Sequence, residues 1–433
     1  MGRFNESPPA KYLPCFCYKI HLYIVQIRKE PDYMKYIILQ GDGMADYPLD
    51  QLKGGTPLSV ARKKNIDALA KKSVVGMIRT IPKGMHPGSD VGNMSIFGYD
   101  PKKYYTGRAP IEAAGQDIAL DKDDVACRCN LVTLDRQGNN ARMKDYSAGH
   151  ITTEEAVELI HALSSSLKHD GFTFYPGVSY RHLIVWHHGM DKINTFPPHD
   201  ITDQDIATHM PEGNGADKLT YLMKSSWDIL ESHPVNIKRR AQGKDTANSI
   251  WIWGLGKAMH IPPFKKLHNL SGACISAVDL VRGIAKLAGF DIIAVPGITG
   301  WVDTNYKGKA EYGVHALQDH DLVYIHVEAP DEAGHNGDTE LKIKAIEDFD
   351  EKVVGGVLEG LKRSGPFRML IMPDHRTPIA RKTHTEEPVP FLFYDSEHEV
   401  KNTFTYDEFG AEKSGVFIEN GFEMMPRLLN GWK

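Results

Sequence analysis

The chain is poor in cysteine, in net positive charge and in long apolar runs, and each shortage excludes something. Its five cysteines form two Cys-x-Cys pairs, Cys15/Cys17 and Cys127/Cys129, with Cys274 alone. Neither pair has the two-residue gap usual for structural zinc, no disulfide framework is expected, and a reducing cytoplasm is the expected location. The formal net charge of -5 leaves no excess of Lys and Arg, so nucleic acid is not an expected partner. A small phosphorylated substrate is still allowed, because it needs only a local cationic pocket. The best early apolar run, Ile20 to Ile27, is interrupted by His21. It is too short to span a bilayer, and no signal-peptide cleavage pattern follows it. No Gly-x4-Gly-Lys-Ser/Thr loop is found, which excludes an ordinary P-loop kinase.

What is present is globular: 41% hydrophobic and 25% charged residues over 433 positions, too long for one ordinary core. Residues 1–33 differ from the rest, with Pro8-Pro9 and mixed charge, and Met34 stands directly before the first convincing strand, Lys35 to Gln40. They are expected to be an N-terminal extension upstream of the native start; a functional arm is the competing reading. From Met34 onward, short apolar runs alternate with amphipathic stretches, the pattern of an α/β fold with a largely parallel sheet. Strands are predicted at Tyr36–Leu39, Phe290–Val295, Leu322–Val327, Met369–Met372 and Val389–Phe393. Helices are predicted at Leu58–Lys72, Thr153–Leu167, Ala216–Leu230, Ile275–Leu287 and Thr339–Leu361. Residues 120–270 carry strands of their own, Leu183–Trp186 and Ser249–Trp253, and lack the acidic-histidine motifs found elsewhere. They are expected to form an inserted smaller α+β domain within a main domain of residues 34–119 and 271–433.

Four motifs carry candidate chemistry. Gln40-Gly41-Asp42-Gly43 follows an apolar strand, and in open α/β sheets ligands gather at the carboxyl ends of strands. Pro87-Gly88-Ser89-Asp90-Val91-Gly92 sets a serine among glycines before an apolar stretch. Such a serine at a helix start can bear a phosphoryl ester held by backbone N–H groups; a capped turn is the plain alternative. In Val327-Glu328-Ala329-Pro330-Asp331-Glu332-Ala333-Gly334-His335, again after an apolar strand, Asp331 and His335 are four apart, on one face of a helix. Pro373-Asp374-His375 and Thr383-His384 lie beside two more strands. Singly these strings are common. Together they predict a two-metal site in which a cation lowers the pKa of the Ser89 hydroxyl, with ions about 3.5–4 Å apart. Three histidine ligands favour manganese or zinc over magnesium, which prefers oxygen donors.

At these residues the sequence resembles the alkaline phosphatase superfamily, and most closely the archaeal-type, cofactor-independent phosphoglycerate mutase family. The likeness runs from Met34 almost to the end. It rests on Gly41-Asp42-Gly43, Gly88-Ser89-Asp90, Ser95-Ile96-Phe97-Gly98-Tyr99-Asp100-Pro101, Thr106-Gly107-Arg108, Arg128-Cys129-Asn130-Leu131, Asp303-Thr304-Asn305-Tyr306 and Asp331-Glu332-Ala333-Gly334-His335. The resemblance implies an alkaline-phosphatase-like sheet sandwiched by helices, and interconversion of 3- and 2-phosphoglycerate. It implies Ser89 as phosphorylated nucleophile, Asp331, His335 and His384 on one ion, and Asp42, Ser89, Asp374 and His375 on the other. Candidate substrate contacts are Arg108, Arg128, Asp145, His150, Lys307 and Lys309. In this family an arginine-rich stretch follows the Arg128 segment, whereas here Lys144-Asp145-Tyr146-Ser147-Ala148-Gly149-His150 has no guanidinium. That departure keeps two alternatives open, a kinase acting on a small hydroxyl compound such as homoserine and a phosphatase. Asn93 stands where related bacterial mutases carry histidine, a position expected at the edge of the site. Nothing in the sequence fixes an oligomeric state.

Overall fold

The computed structural model describes residues 33–137, 140–167, 171–362 and 364–432. The reading of residues 1–33 as an extension lies outside the described residues, Tyr33 excepted. In chain order the strands are β1 (Lys35–Gly41), β2 (Val74–Ile78), β3 (Val125–Gln137), β4 (Asn140–Asp145), β5 (Phe172–Tyr175), β6 (Arg181–Trp186), β7 (Ile193–Asn194) and β8 (Glu212–Gly213). They continue as β9 (Ser249–Lys257), β10 (Gly272–Ile275), β11 (Asp291–Ile292), β12 (Leu322–Val327), β13 (Phe367–Met372), β14 (Val389–Asp395) and β15 (Phe417–Ile418).

The large sheet has the order β11-β10-β12-β1-β13-β14-β2-β15. β1 pairs in parallel with both β12 and β13, while β14 runs antiparallel to β13 and to β2. Along β1 the side chains alternate between two cores. Ile37 and Leu39 enter one with Val323, Ile325 and Ile371, and Tyr36 and Ile38 enter the other with Tyr324, Leu370 and Met372. Burial on both faces explains why these strands read as unbroken apolar runs. The second sheet, antiparallel, is built from β3, β4, β5, β6 and β9 and has its own core around Trp251, Leu159 and Leu219. The expected α/β class, with a helix-flanked sheet and a smaller α+β part, is therefore the observed one.

Three predicted elements are corrected. The helix expected over Leu58–Lys72 is two, Pro57–Val60 and Lys64–Ala70. The second begins where the distant Asp350 carboxylate accepts from the backbone N–H of Asn65 (3.2 Å) and Ile66 (2.7 Å), a cap no local pattern reveals. The helix expected over Ile275–Leu287 starts only at Asp279, because Gly272–Ile275 is taken up as a sheet strand. Of Phe290–Val295, only Asp291–Ile292 pairs as a strand. Among the described residues no helix is long and apolar enough to cross a membrane.

Candidate active site

Sheet topology delivers the polar side chains to one edge. Asp42 follows β1, with its N–H bonded to Val327 O at 2.9 Å. On one side of β1, β12 leads into the helix Ala329–Asn336, which carries Asp331 and His335; on the other, β13 leads into Asp374 and His375. β2 runs in the same sense as β1, so the helix Ser89–Ile96 that follows it starts at this edge too. His384 precedes the antiparallel β14, which begins where its neighbours end. Residues scattered over 340 positions thus converge because five adjacent strands share an edge.

The groups are close and dry. Asp42, Asp374 and His375 are fully buried, and Asp331 and Ser89 nearly so. Ser89 Oγ lies 3.0 Å from His375 Nε2. Ligand atoms of Asp42, Asp374 and His375 fall within 4.8 Å of one another, as do those of Asp331, His375 and His384. His335 Nε2 is 2.9 Å from His384 Nε2 and 3.2 Å from Asp331 Oδ2. The His335 Nδ1–H donates to Lys382 O at 3.0 Å, which turns the Nε2 lone pair toward those two residues. Gly43, at φ +57, lets the turn after β1 pass this cluster; a Cβ there would come within 2.6 Å of the Asp331 carboxylate.

Two residues of the site have no role assigned from the sequence: His326, which lies in no motif, and Glu328, which lies inside the motif that ends at His335. His326 Nε2 is 2.8 Å from Asp42 Oδ2 and 3.3 Å from Glu328 Oε2. Tyr324, His326 and Glu328 alternate along β12 and its end. A polar residue at every second position of an otherwise apolar strand was the available signal. Asn93 is corrected as well. It is fully buried rather than at the edge, donating to Asp374 Oδ2 and Ser89 O, both at 2.9 Å, and accepting from the Tyr324 hydroxyl at 2.5 Å.

The electrostatics of this cluster suit a divalent cation. Burial raises the Asp42 carboxyl well above its ordinary range, and the charges of Asp374, Glu328 and Asp331 raise it further. Its Oδ1 is buried with no hydrogen-bond partner. Burial pushes the imidazoles of His326 and His375 down to about 3 and about 4, so both are neutral near pH 7, as a metal ligand must be. Burial would lower His335 too, but its bond to Asp331 and the charge of that group outweigh it and bring it up to about 9. A divalent cation bound by His335 would take the place of that proton. Buried carboxylates, neutral imidazoles and an orphaned oxygen fit divalent-cation binding.

The other candidate residues are placed differently. Arg108 Nε and Arg128 Nε each donate to the Glu112 carboxylate at 2.9 Å. Lys309 is fully buried, its ammonium donating to His326 O at 2.7 Å, and Lys307 is exposed on the same helix. Asp145 spends its carboxylate on its own turn, accepting from Ser147 N (2.8 Å) and Gly149 N (2.6 Å); His150 is exposed. Arg181, overlooked in the sequence, supplies a guanidinium from β6. Its charge acts on Glu112 and on Glu332, the neighbour of Asp331.

A serine at a helix start, among acidic and imidazole side chains at the carboxyl edge of an α/β sheet, defines a class: enzymes that move phosphoryl groups with divalent metals. The comparisons narrow it. The family model of 2,3-bisphosphoglycerate-independent phosphoglycerate mutase matches residues 70–236. The enzyme of that name from Methanosarcina mazei is 50% identical over 399 residues, 92% of this chain and 100% of the relative. Among solved structures, the PH0037 protein of Pyrococcus horikoshii superposes with a TM-score of 0.79 at 29% identity, over 92% of this chain and 97% of that one. A cofactor-independent phosphoglycerate mutase of Thermoplasma acidophilum gives 0.62 at 26%, over 92% and 99%. The chain belongs to the 2,3-bisphosphoglycerate-independent phosphoglycerate mutase family. The homoserine-type kinase and the phosphatase, left open by the missing arginines, are not favoured by these relatives.

Proposed function

We propose that the chain interconverts 3- and 2-phosphoglycerate through a phosphoserine at Ser89. The observation that carries the reading is the Ser89 hydroxyl, on the first residue of a helix and 3.0 Å from His375, inside a buried cluster of metal-ligand side chains. Asp331, His335 and His384 would hold one divalent cation, and Asp42, Ser89, Asp374 and His375 the other. When bound, such ions depress the pKa of a hydroxyl and offset phosphate charge; three imidazoles favour manganese or zinc.

The chain's own groups do the rest. Ser89 Oγ attacks phosphorus, the bond to the glyceryl oxygen breaks, and the proton given up by serine balances the one gained by that oxygen. The helix N-terminus favours the phosphoryl charge held at Ser89. Asn93 holds Asp374 in place through its amide. Arg108 and Arg128 hold the freed glycerate while its other hydroxyl turns toward phosphorus, and the exchange runs in reverse. No external phosphoryl donor is needed. Three buried free thiols, Cys127, Cys129 and Cys274, suit a reducing cytoplasm.

The test is 31P NMR of manganese-loaded protein supplied with 3-phosphoglycerate. The expected result is 2-phosphoglycerate without matching release of inorganic phosphate, and loss of at least ~10³-fold in kcat for Ser89→Ala with the fold intact. Isomerisation at an undiminished rate by Ser89→Ala rules out the covalent route.

A further inference from the structure

Helix Arg108–Gly115 supplies Arg108 and Glu112, β3 supplies Arg128, and the three meet at one carboxylate. Glu112 Oε1 accepts from Arg108 Nε and Oε2 from Arg128 Nε, each at 2.9 Å, and the Glu112 side chain is only 14% exposed. Both guanidinium groups are therefore gripped at Nε. Among the described residues, no acceptor hydrogen-bonds the terminal nitrogens of either. Arg128 is also stacked on the Trp253 ring, 4.0 Å from its centroid, which fixes the plane of its fork. Burial would raise the Glu112 carboxyl, yet Arg128 and Arg108 outweigh it and keep it below its ordinary range, so it is ionised at neutral pH.

The charges of this cluster reach the neighbours of the catalytic groups. The Arg108 charge acts on Asp90, the neighbour of Ser89, and Arg181 acts on both Glu112 and Glu332. Two guanidinium groups thus grip one carboxylate, one at each oxygen, and the charge of a third acts on it from β6. Two forks with open terminal N–H groups match a planar carboxylate, and the phosphate of the substrate belongs at Ser89.

We propose that Glu112 is a positioning residue that sets Arg108 and Arg128 as paired forks for the carboxylate common to both phosphoglycerate isomers, with Arg181 as the third cation of that pocket. The inference rests on the mutase reading.

Opposite signs separate this role from a merely neutralising one. Removing a negative charge beside an anion pocket strengthens electrostatic attraction and lowers KM; releasing the forks from their fixed planes raises it. The experiment is initial-rate kinetics of manganese-loaded wild type, Glu112→Gln and Glu112→Asp with 3-phosphoglycerate, alongside thermal unfolding. The expected result for Glu112→Gln is a KM at least ~10-fold higher, a smaller fall in kcat and a lowered unfolding temperature, since the buried Arg128 loses its counter-charge, with Glu112→Asp intermediate because it keeps the charge. A KM unchanged or lowered overturns the proposal. Should Glu112→Gln not fold, Arg108→Lys carries the test: it keeps the cation but loses the Nε fork, and a KM within twofold of wild type overturns the proposal. If wild type isomerises nothing, the mutase reading falls on its own. The clamp is then judged by whether 3-phosphoglycerate protects wild type against thermal unfolding at ~10-fold lower concentration than Glu112→Gln; equal protection overturns it.

Discussion

Gly92→Ala puts the geometry of the site under direct strain. Gly92 lies in the helix that begins with Ser89, and a Cβ there would meet Asp374 O at 2.7 Å, Asp374 Cβ at 3.0 Å and Asp374 C at 3.2 Å. On helix propensity alone the change should stabilise by up to ~1 kcal/mol. The opposing contact is with buried backbone, not the flexible end of a side chain, so it cannot swing aside. Relieving it requires about 0.5 Å of separation between helix and strand, and overpacking of this kind costs ~1–3 kcal/mol, so the steric term wins. Activity should suffer more than stability. The same movement parts Ser89 from Asp374 and stretches the 2.9 Å bond from Asn93 to Asp374, and misplacements approaching 1 Å cost on the order of 10²-fold in rate. We expect kcat down about 10- to 100-fold, KM within about threefold, and an unfolding temperature lowered by a few degrees. The assay is 3-phosphoglycerate isomerisation in saturating manganese beside a thermal melt. A variant with wild-type kcat and raised stability refutes the claim that this approach sets the position of the nucleophile.

Two further outcomes test the scaffold. Lys342, fully buried, donates to Asp46 Oδ2 (2.7 Å) and to Thr377 O (2.8 Å), and Thr377 in turn bonds to Asp331. Lys342→Met strands the buried Asp46 carboxylate and should cost ~3–5 kcal/mol in urea unfolding, whereas a loss below about 1 kcal/mol shows the pair to be dispensable. His182 is buried, accepts from Gly177 N at Nδ1, and is pushed down to about 3 by burial. Its folded pKa lies below its unfolded one, so its stabilising contribution is complete above about pH 6.5 and is lost on acidification, by roughly 2 kcal/mol at pH 5. His182→Asn keeps the acceptor without the titration, so its unfolding free energy should fall less between pH 7.5 and 5 than that of wild type. Parallel pH profiles exclude the assignment.

Whatever rested on local pattern was legible in the sequence. β1, β12, β13 and β14 stood out as apolar runs because both faces of the large sheet are covered, and Ser89, Asp331 and His335 stood out because helix starts and i,i+4 spacing have local chemistry. Partners supplied across the sheet were not legible. The break between Pro57–Val60 and Lys64–Ala70 depends on Asp350, about 285 residues away, and nothing near Ala61 announces it. The same holds for the cationic groups. The stretch from Lys144 to His150 has no guanidinium, yet the cations beside Glu112 come from residues 108, 128 and 181, on a helix and two strands.

His326 shows why the hardest residues to read were also among the most constrained. In the string Leu322–Val327 it passes for an incidental polar residue in a buried strand. Burial that complete is costly for an imidazole unless both nitrogens are used. In the structure Nδ1 is 3.0 Å from Ser276 Oγ, and Nε2 faces Asp42 at 2.8 Å. Asp42 Oδ1, left without a hydrogen bond, lies 3.5 Å from His375 Nε2. The carboxylate that follows β1 therefore takes its orientation from β12, with its other oxygen open toward the segment after β13. Such a residue is identified by the three-strand order β12-β1-β13, which exists only after folding.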